Sequence, residues 1–152
     1  MDRDIETTEL TIKGILQSQK LGVLATYSGE HSYATLVGFV ARDDLQSIVF
    51  ATIRDTRKYR HLCAHPDVSM LIDTRTNRTD DFSDAQALTV LGKASELSGG
   101  ERENCGKLYL GKHPHLTEFI ADPNCALIKI FVKKYILVSR FQEVLEIDYP
   151  HA

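Results

Sequence analysis

The sequence predicts a mainly β protein with flanking α-helices, built as a closed or nearly closed antiparallel barrel of six to seven strands. Two observations predict it. Short runs rich in β-branched and aromatic residues recur through the chain between turn signals, while few segments carry a helical period. The run 32–41 is also apolar on both faces, with Tyr33, Val37 and Phe39 on one and Ala34, Leu36 and Val40 on the other. One face then covers a barrel core and the other meets a partner surface or a ligand. Many strands with few helices fit a barrel and not a doubly wound sheet.

The elements follow in order. Residues Thr8 to Gln19 carry the amphipathic pattern of a helix, in an N-terminal helical segment that spans 1–20. Leu21 to Tyr27 and Ser32 to Ala41 read as strands joined by Ser28-Gly29-Glu30, a hairpin. Gly38 removes a side chain where something approaches closely. Arg42-Asp43-Asp44 turns the chain into a third strand ending at Ile53. A helix from Thr56 stops at His65-Pro66, because the residue before proline resists the α region. Val68 to Asp73 is the fourth strand, Arg75 to Asp84 a polar loop, and Ala87 to Leu97 a long fifth strand. Ser98-Gly99-Gly100 opens a helix to about Leu110, and a shorter helical piece covers His115 to Ala121. Ala126 to Val132 and Tyr135 to Ile147 close the chain as a hairpin turning at Lys133-Lys134.

A chain of 152 residues is long enough for one domain with a real core, taken as 1–152, and short for two. Its net charge of -3 argues against a general nucleic-acid binder, so any anion site is local. No apolar run approaches the ~20 residues of a membrane span, and the acidic start lacks a signal-peptide core. Cys63, Cys105 and Cys125 form no C-x-x-C pair and fit free thiols in a reducing cytoplasm.

The sharpest local feature lies between the third strand and the helix after it. Asp55 is a good N-cap, so Arg57 and Lys58 fall in the first helical turn, where the helix dipole disfavours cations. Basic side chains crowded against exposed N–H groups make sense if an anion, a phosphate above all, occupies that corner. The bland alternative is surface pairing with Asp55 or Asp43, and Arg54 either joins the site or is solvated.

Three stretches resemble the pyridoxamine 5′-phosphate oxidase-like superfamily of FMN-binding split barrels. They are the hairpin Leu24-Ala25-Thr26 to Tyr33-Ala34-Thr35-Leu36-Val37; Val49-Phe50-Ala51-Thr52 with Thr56-Arg57-Lys58 and His65-Pro66-Asp67-Val68-Ser69-Met70-Leu71-Ile72; and Leu88-Thr89-Val90-Leu91-Gly92-Lys93-Ala94. Tyr109-Leu110-Gly111-Lys112-His113-Pro114 and Leu137-Val138-Ser139-Arg140-Phe141-Gln142 are similar to a branch with haem-utilisation and stress-related flavoproteins. Ser139, Arg140 and Gln142 stand where that branch often has glycine.

The resemblance implies a Greek-key split barrel in a homodimer, with two FMN molecules at the subunit interface. Arg57 and Lys58 would bind the FMN phosphate, with Thr52 and Thr56 as hydroxyl donors at the end of the Ala51-containing strand. Thr35, Leu36 and Val37 would line the isoalloxazine or ribityl chain through backbone groups, and Gln86 sits at or beside a flavin-contacting position. True pyridoxamine phosphate oxidases usually have an arginine early in the second strand, where Leu36 and Val37 stand here. They also end in a tryptophan and an Arg-Leu-x-Pro-like segment, whereas this chain has no Trp. Vitamin B6 oxidation is therefore not implied.

The remaining candidates are weaker. His61 and His65 have the i, i+4 spacing of zinc ligands, but no third ligand is evident, and no metal is expected. His113-Pro114-His115 offers an axial haem ligand, set against exposed loop histidines beside a proline. Cys63 reads as an inward, inert thiol. Tyr33, Tyr109, Tyr135 and Phe141 are candidates to stack on a flavin, or else core and interface residues. The expected function is an FMN-dependent oxidoreductase of unspecified substrate. The alternatives are a non-catalytic flavin- or haem-binding carrier or sensor, and a deazaflavin-dependent reductase.

Overall fold

The computed structural model describes residues 2–139 and 143–150. Seven strands run β1 (Leu21–Tyr27), β2 (Ser32–Ala41), β3 (Ser47–Ile53), β4 (Asp67–Asp73), β5 (Ala87–Glu96), β6 (Cys125–Ser139) and β7 (Glu143–Asp148). The helices are α1 (Asp2–Ser18), α2 (Arg57–Ala64), α3 (Asp81–Asp84), α4 (Gly99–Lys112) and α5 (Thr117–Ala121). The sheet order is β3-β2-β1-β4-β5-β6-β7, all antiparallel, and β3 also pairs with β6. Six strands therefore close into a barrel, and β7 is an extra strand outside β6. The chain crosses from β3 to β4, which lies beside β1, so β1–β4 form a Greek key.

Strand alternation fills the barrel. Leu24, Phe39, Ile48, Phe50, Met70, Ile72, Leu88, Val90, Ile128 and Ile130 are buried in one cluster, and α1 adds Ile12, Ile15 and Leu16. Outward residues of β3 and β6 (Val49, Ala51, Cys125, Leu127) form a second cluster under Cys105 and Tyr109 of α4. This explains why β3 is buried at every position up to Thr52, since both of its faces are covered.

The barrel is open along one seam. β2 pairs with β1 from Ser32 to Gly38, but with β3 only from Phe39 to Ala41. On the side away from β1, residues 32–38 have no ladder partner. α2 packs near the mouth of this opening, its Leu62 buried in the barrel core.

Several expectations are corrected. α1 begins at Asp2, not Thr8, and the polar loop contains α3. Lys133-Lys134 is no hairpin tip, because β6 runs unbroken from Cys125 to Ser139. The register against β5 slips between Leu91 and Gly92, which face Lys134 and Val132, so Lys133 is the extra residue of a bulge. Lys133 reaches Asp67, and Lys134 pairs with Glu146 and Asp148. No described helix is long and apolar enough to cross a membrane.

Candidate functional site

The N-cap of α2 is Thr56, not Asp55. Thr56 has the extended backbone of a cap (φ -135°), accepts from the Tyr59 N–H at 3.3 Å and donates to the Ile53 carbonyl at 2.8 Å. Asp55 is exposed and pairs with Arg60. The shift by one residue makes Arg57 and Lys58 the first two residues of the helix, and no acid shares that turn. Their N–H groups are among those an α-helix leaves without an internal acceptor. Arg57 is exposed, its guanidinium 5.9 Å from the Tyr33 ring centroid. Lys58 is half-buried, and desolvation holds its ammonium below the usual lysine range. Among the described residues neither cation makes an ion pair.

The other predicted site residues fall in three groups. Thr52 is 1% exposed and lies beneath the cap, its hydroxyl 3.2 Å from that of Thr56. Ala51 faces the cluster under α4. Thr35, Leu36 and Val37 all lie on the unpaired stretch of β2. The Thr35 hydroxyl is buried with no hydrogen-bond partner, Val37 faces the core, and Leu36 is 65% exposed on the outer face. Gln86 is not brought to this corner. It extends the β4–β5 ladder by exchanging hydrogen bonds with Thr74. Glu96, at the other end of β5, is the residue that touches α2. Ten residues of strand, ~34 Å, separate the two.

Arg54 is about a third exposed and is held by Glu96. Its Nη2 lies 2.6 Å from Glu96 Oε2, and its Nη1 donates to the Pro123 carbonyl at 2.9 Å. Tyr59 donates to the other Glu96 oxygen at 2.6 Å. Sequence reasoning missed Glu96 and Tyr59, because no local spacing links residues 37 apart. It also missed Thr26, whose hydroxyl is 3.0 Å from His61 Nδ1. The Tyr33 ring packs edge-on against His61.

Cys63 is exposed, not inward: α2 is rolled so that Leu62 enters the core. His113 is 2% exposed, contrary to the loop reading, and its Nε2 donates to the Phe39 carbonyl at 2.8 Å. His115 is exposed. Tyr109 and Tyr135 are core residues, and Phe141 lies outside the described residues. Gly38 does mark a close approach, by Tyr109 and His113. Among the described residues no three His, Cys, Asp or Glu side chains cluster to hold a metal. A cleft of about 590 Å³ lies on the outer sheet face, lined in part by Lys20, Val23, Leu36, Leu71 and Arg75.

The family model for pyridoxamine 5′-phosphate oxidase matches residues 9–138. No curated protein matches the chain. Among solved structures, the General Stress Protein 26 from Bacillus anthracis str. Sterne is 24% identical with a TM-score of 0.70, over 92% of this chain and 98% of that one. A heme binding protein from Mycobacterium smegmatis gives a TM-score of 0.81 at 18% identity, over 90% of this chain. The chain spans only 55% of that protein's length. A FAD-binding protein from Mesorhizobium loti gives 0.68 at 16% identity, over 84% of this chain and 90% of that one. At these identities the likeness is one of fold.

Proposed function

The chain belongs to the pyridoxamine 5′-phosphate oxidase family, and from that premise we propose that it is an FMN-binding flavoprotein, an oxidoreductase that works as a homodimer. The observation that carries the reading is the unpaired Arg57–Lys58 couple on the opening turn of α2, with Lys58 partly withdrawn from water and no acid beside it. A dianionic phosphate would satisfy both cations and the free N–H groups of that turn.

Two further observations fit the rest of the cofactor. The edge of β2 from Ser32 to Gly38 offers backbone donors and acceptors that no strand uses. The orphaned Thr35 hydroxyl on the same stretch lacks only a partner. Flavin supplies hydride and electron transfer when bound, so the protein need not provide an acid or a nucleophile. The work of this chain is then to grip the phosphate with Arg57 and Lys58, to orient the ring through the β2 edge, and to shield it from water. Thr52, beneath the cap, supports Thr56 rather than reaching the ligand.

The dimer reading rests on the outer sheet face. Leu36, Leu71 and Leu91 are exposed there on β2, β4 and β5, with Leu21 on β1. A row of this kind fits a self-complementary interface. Gln86, a strand length from α2, would then contact the flavin of the second copy. The free cysteines, one of them exposed, fit a cytoplasmic setting.

The test is the protein purified without added cofactor, examined by absorption and by mass of the released ligand. FMN is expected at near one per chain. Arg57→Ala should lose it, with affinity down at least ~100-fold while the fold and melting temperature of the free protein persist, since truncating one partner of a close charge pair costs several kcal/mol. Full flavin occupancy in that variant removes the assignment. A Soret band on haem titration with no flavin bound would favour the carrier reading, and a deazaflavin mass the reductase reading.

A further inference from the structure

Three elements meet beside the anion corner without contributing to it directly. Arg54 follows β3, Tyr59 lies in the first turn of α2, and Glu96 ends β5. Glu96 holds the other two, Oε2 to the Arg54 guanidinium at 2.6 Å and Oε1 to the Tyr59 hydroxyl at 2.6 Å. Arg54 is tied further to the Pro123 carbonyl at 2.9 Å, just before β6. As a surface ion pair this would be worth little, since both side chains are about a third exposed. Its placement is what matters. Tyr59 donates its N–H to the Thr56 hydroxyl and its own hydroxyl to Glu96, so the turn that carries Arg57 and Lys58 is held at both ends of one residue. Glu96 also occupies Arg54, the cation that stands two residues before the cap.

We propose that Glu96 is the positioning residue of the phosphate corner: through Tyr59 it sets the roll of α2, and through Arg54 it keeps a third cation out of the site, so that the corner recognises one phosphate monoester by Arg57 and Lys58. This rests on the flavin phosphate reading above. Preorganisation of this kind acts on the part of the ligand the turn touches and leaves the ring contacts alone. Its signature is therefore selectivity. Loss of Glu96 should weaken FMN and spare riboflavin, which shares the ring and lacks the phosphate.

The experiment measures FMN and riboflavin dissociation constants by flavin fluorescence for the wild type, Glu96→Ala, Glu96→Gln and Tyr59→Phe, with melting temperatures of the free proteins. The wild type should prefer FMN strongly. Glu96→Ala should lose about tenfold in FMN affinity with riboflavin unchanged, and Glu96→Gln, which can still accept from Tyr59, should recover part of that loss. Tyr59→Phe should fall between the wild type and Glu96→Ala. If the wild type shows no preference for FMN, the phosphate reading itself fails. If the preference stands but survives Glu96→Ala, or if both ligands weaken together, Glu96 has no positioning role. Tighter FMN binding in Glu96→Ala would mean that Arg54 is a latent ligand, and would overturn the proposal equally.

Discussion

The Tyr109 hydroxyl donates to the Gly38 carbonyl at 3.2 Å, and a Cβ built on residue 38 would lie 3.1 Å from the same hydroxyl. One contact thus seats α4 on β2 and leaves little room for a side chain there. Gly38→Ala should destabilise the fold by ~1–2 kcal/mol, the range of mild overpacking. Tyr109→Phe removes the crowding atom along with its hydrogen bond. The double variant should therefore be less destabilised than the sum of the two, which urea denaturation of the four proteins will read.

Gly92 should be less tolerant. A Cβ there would overlap the Phe131 carbonyl and lie 2.6 Å from Ile130 Cγ2, at the bulge where β5 and β6 change register. The obstruction is backbone, which yields poorly. Gly92→Ala should cost about 3 kcal/mol or more, with loss of soluble expression the coarse readout and chemical denaturation the fine one.

Flavin affinity should carry the titration of Lys58. Burial lowers its ordinary pKa in the free protein, and a bound phosphate would raise it again. Below the free-state value the lysine is already charged, so affinity is flat on its account. As pH rises through that value, binding must take up a proton, and FMN affinity should fall. Lys58→Met should bind more weakly and lack this alkaline fall, as fluorescence titrations between pH 7 and pH 10 will show.

Stability should follow two groups on the last turn of α4. Burial, then the neighbouring Lys112, hold His113 below its ordinary 6.5. As pH drops under 6.5 the unfolded chain takes up the proton first, and stability falls until the folded pKa is reached. Lys112, half-buried over the Phe39 ring and donating to the Leu16 carbonyl, is lowered by desolvation to about 8 from 10.5. Between those values the folded chain has lost a proton the unfolded chain still holds, so this group makes stability rise with pH. Melting temperatures from pH 5 to pH 10 should show both slopes, and Lys112→Met should lose the alkaline one.

Strands β1 to β5 were legible to within a residue or two, because alternation and turn residues agree there. Strand β6 was not. Lys133 and Lys134 are adjacent polar residues between apolar runs, which reads as a turn. In the fold the bulge shifts the alternation by one, so both point away from a core that Val132 and Tyr135 enter on either side. The junction of β3 and α2 was legible as a place but not in its detail. Thr56 takes the cap because its hydroxyl serves both Tyr59 and Ile53, a pairing no local pattern separates from Asp55. The exposure of Cys63, the burial of His113 and the hold of Glu96 on Arg54 all depend on elements distant in sequence.

The unzipped stretch of β2 has a cost of its own. Residues 32–38 leave one strand border without a neighbouring strand among the described residues, and such a border invites an extended segment to add to it. On the flavin reading, occupancy of that border would be a defence against aggregation as well as a means of holding a ring. Newly made chains starved of their prosthetic group would be the ones lost to inclusion bodies.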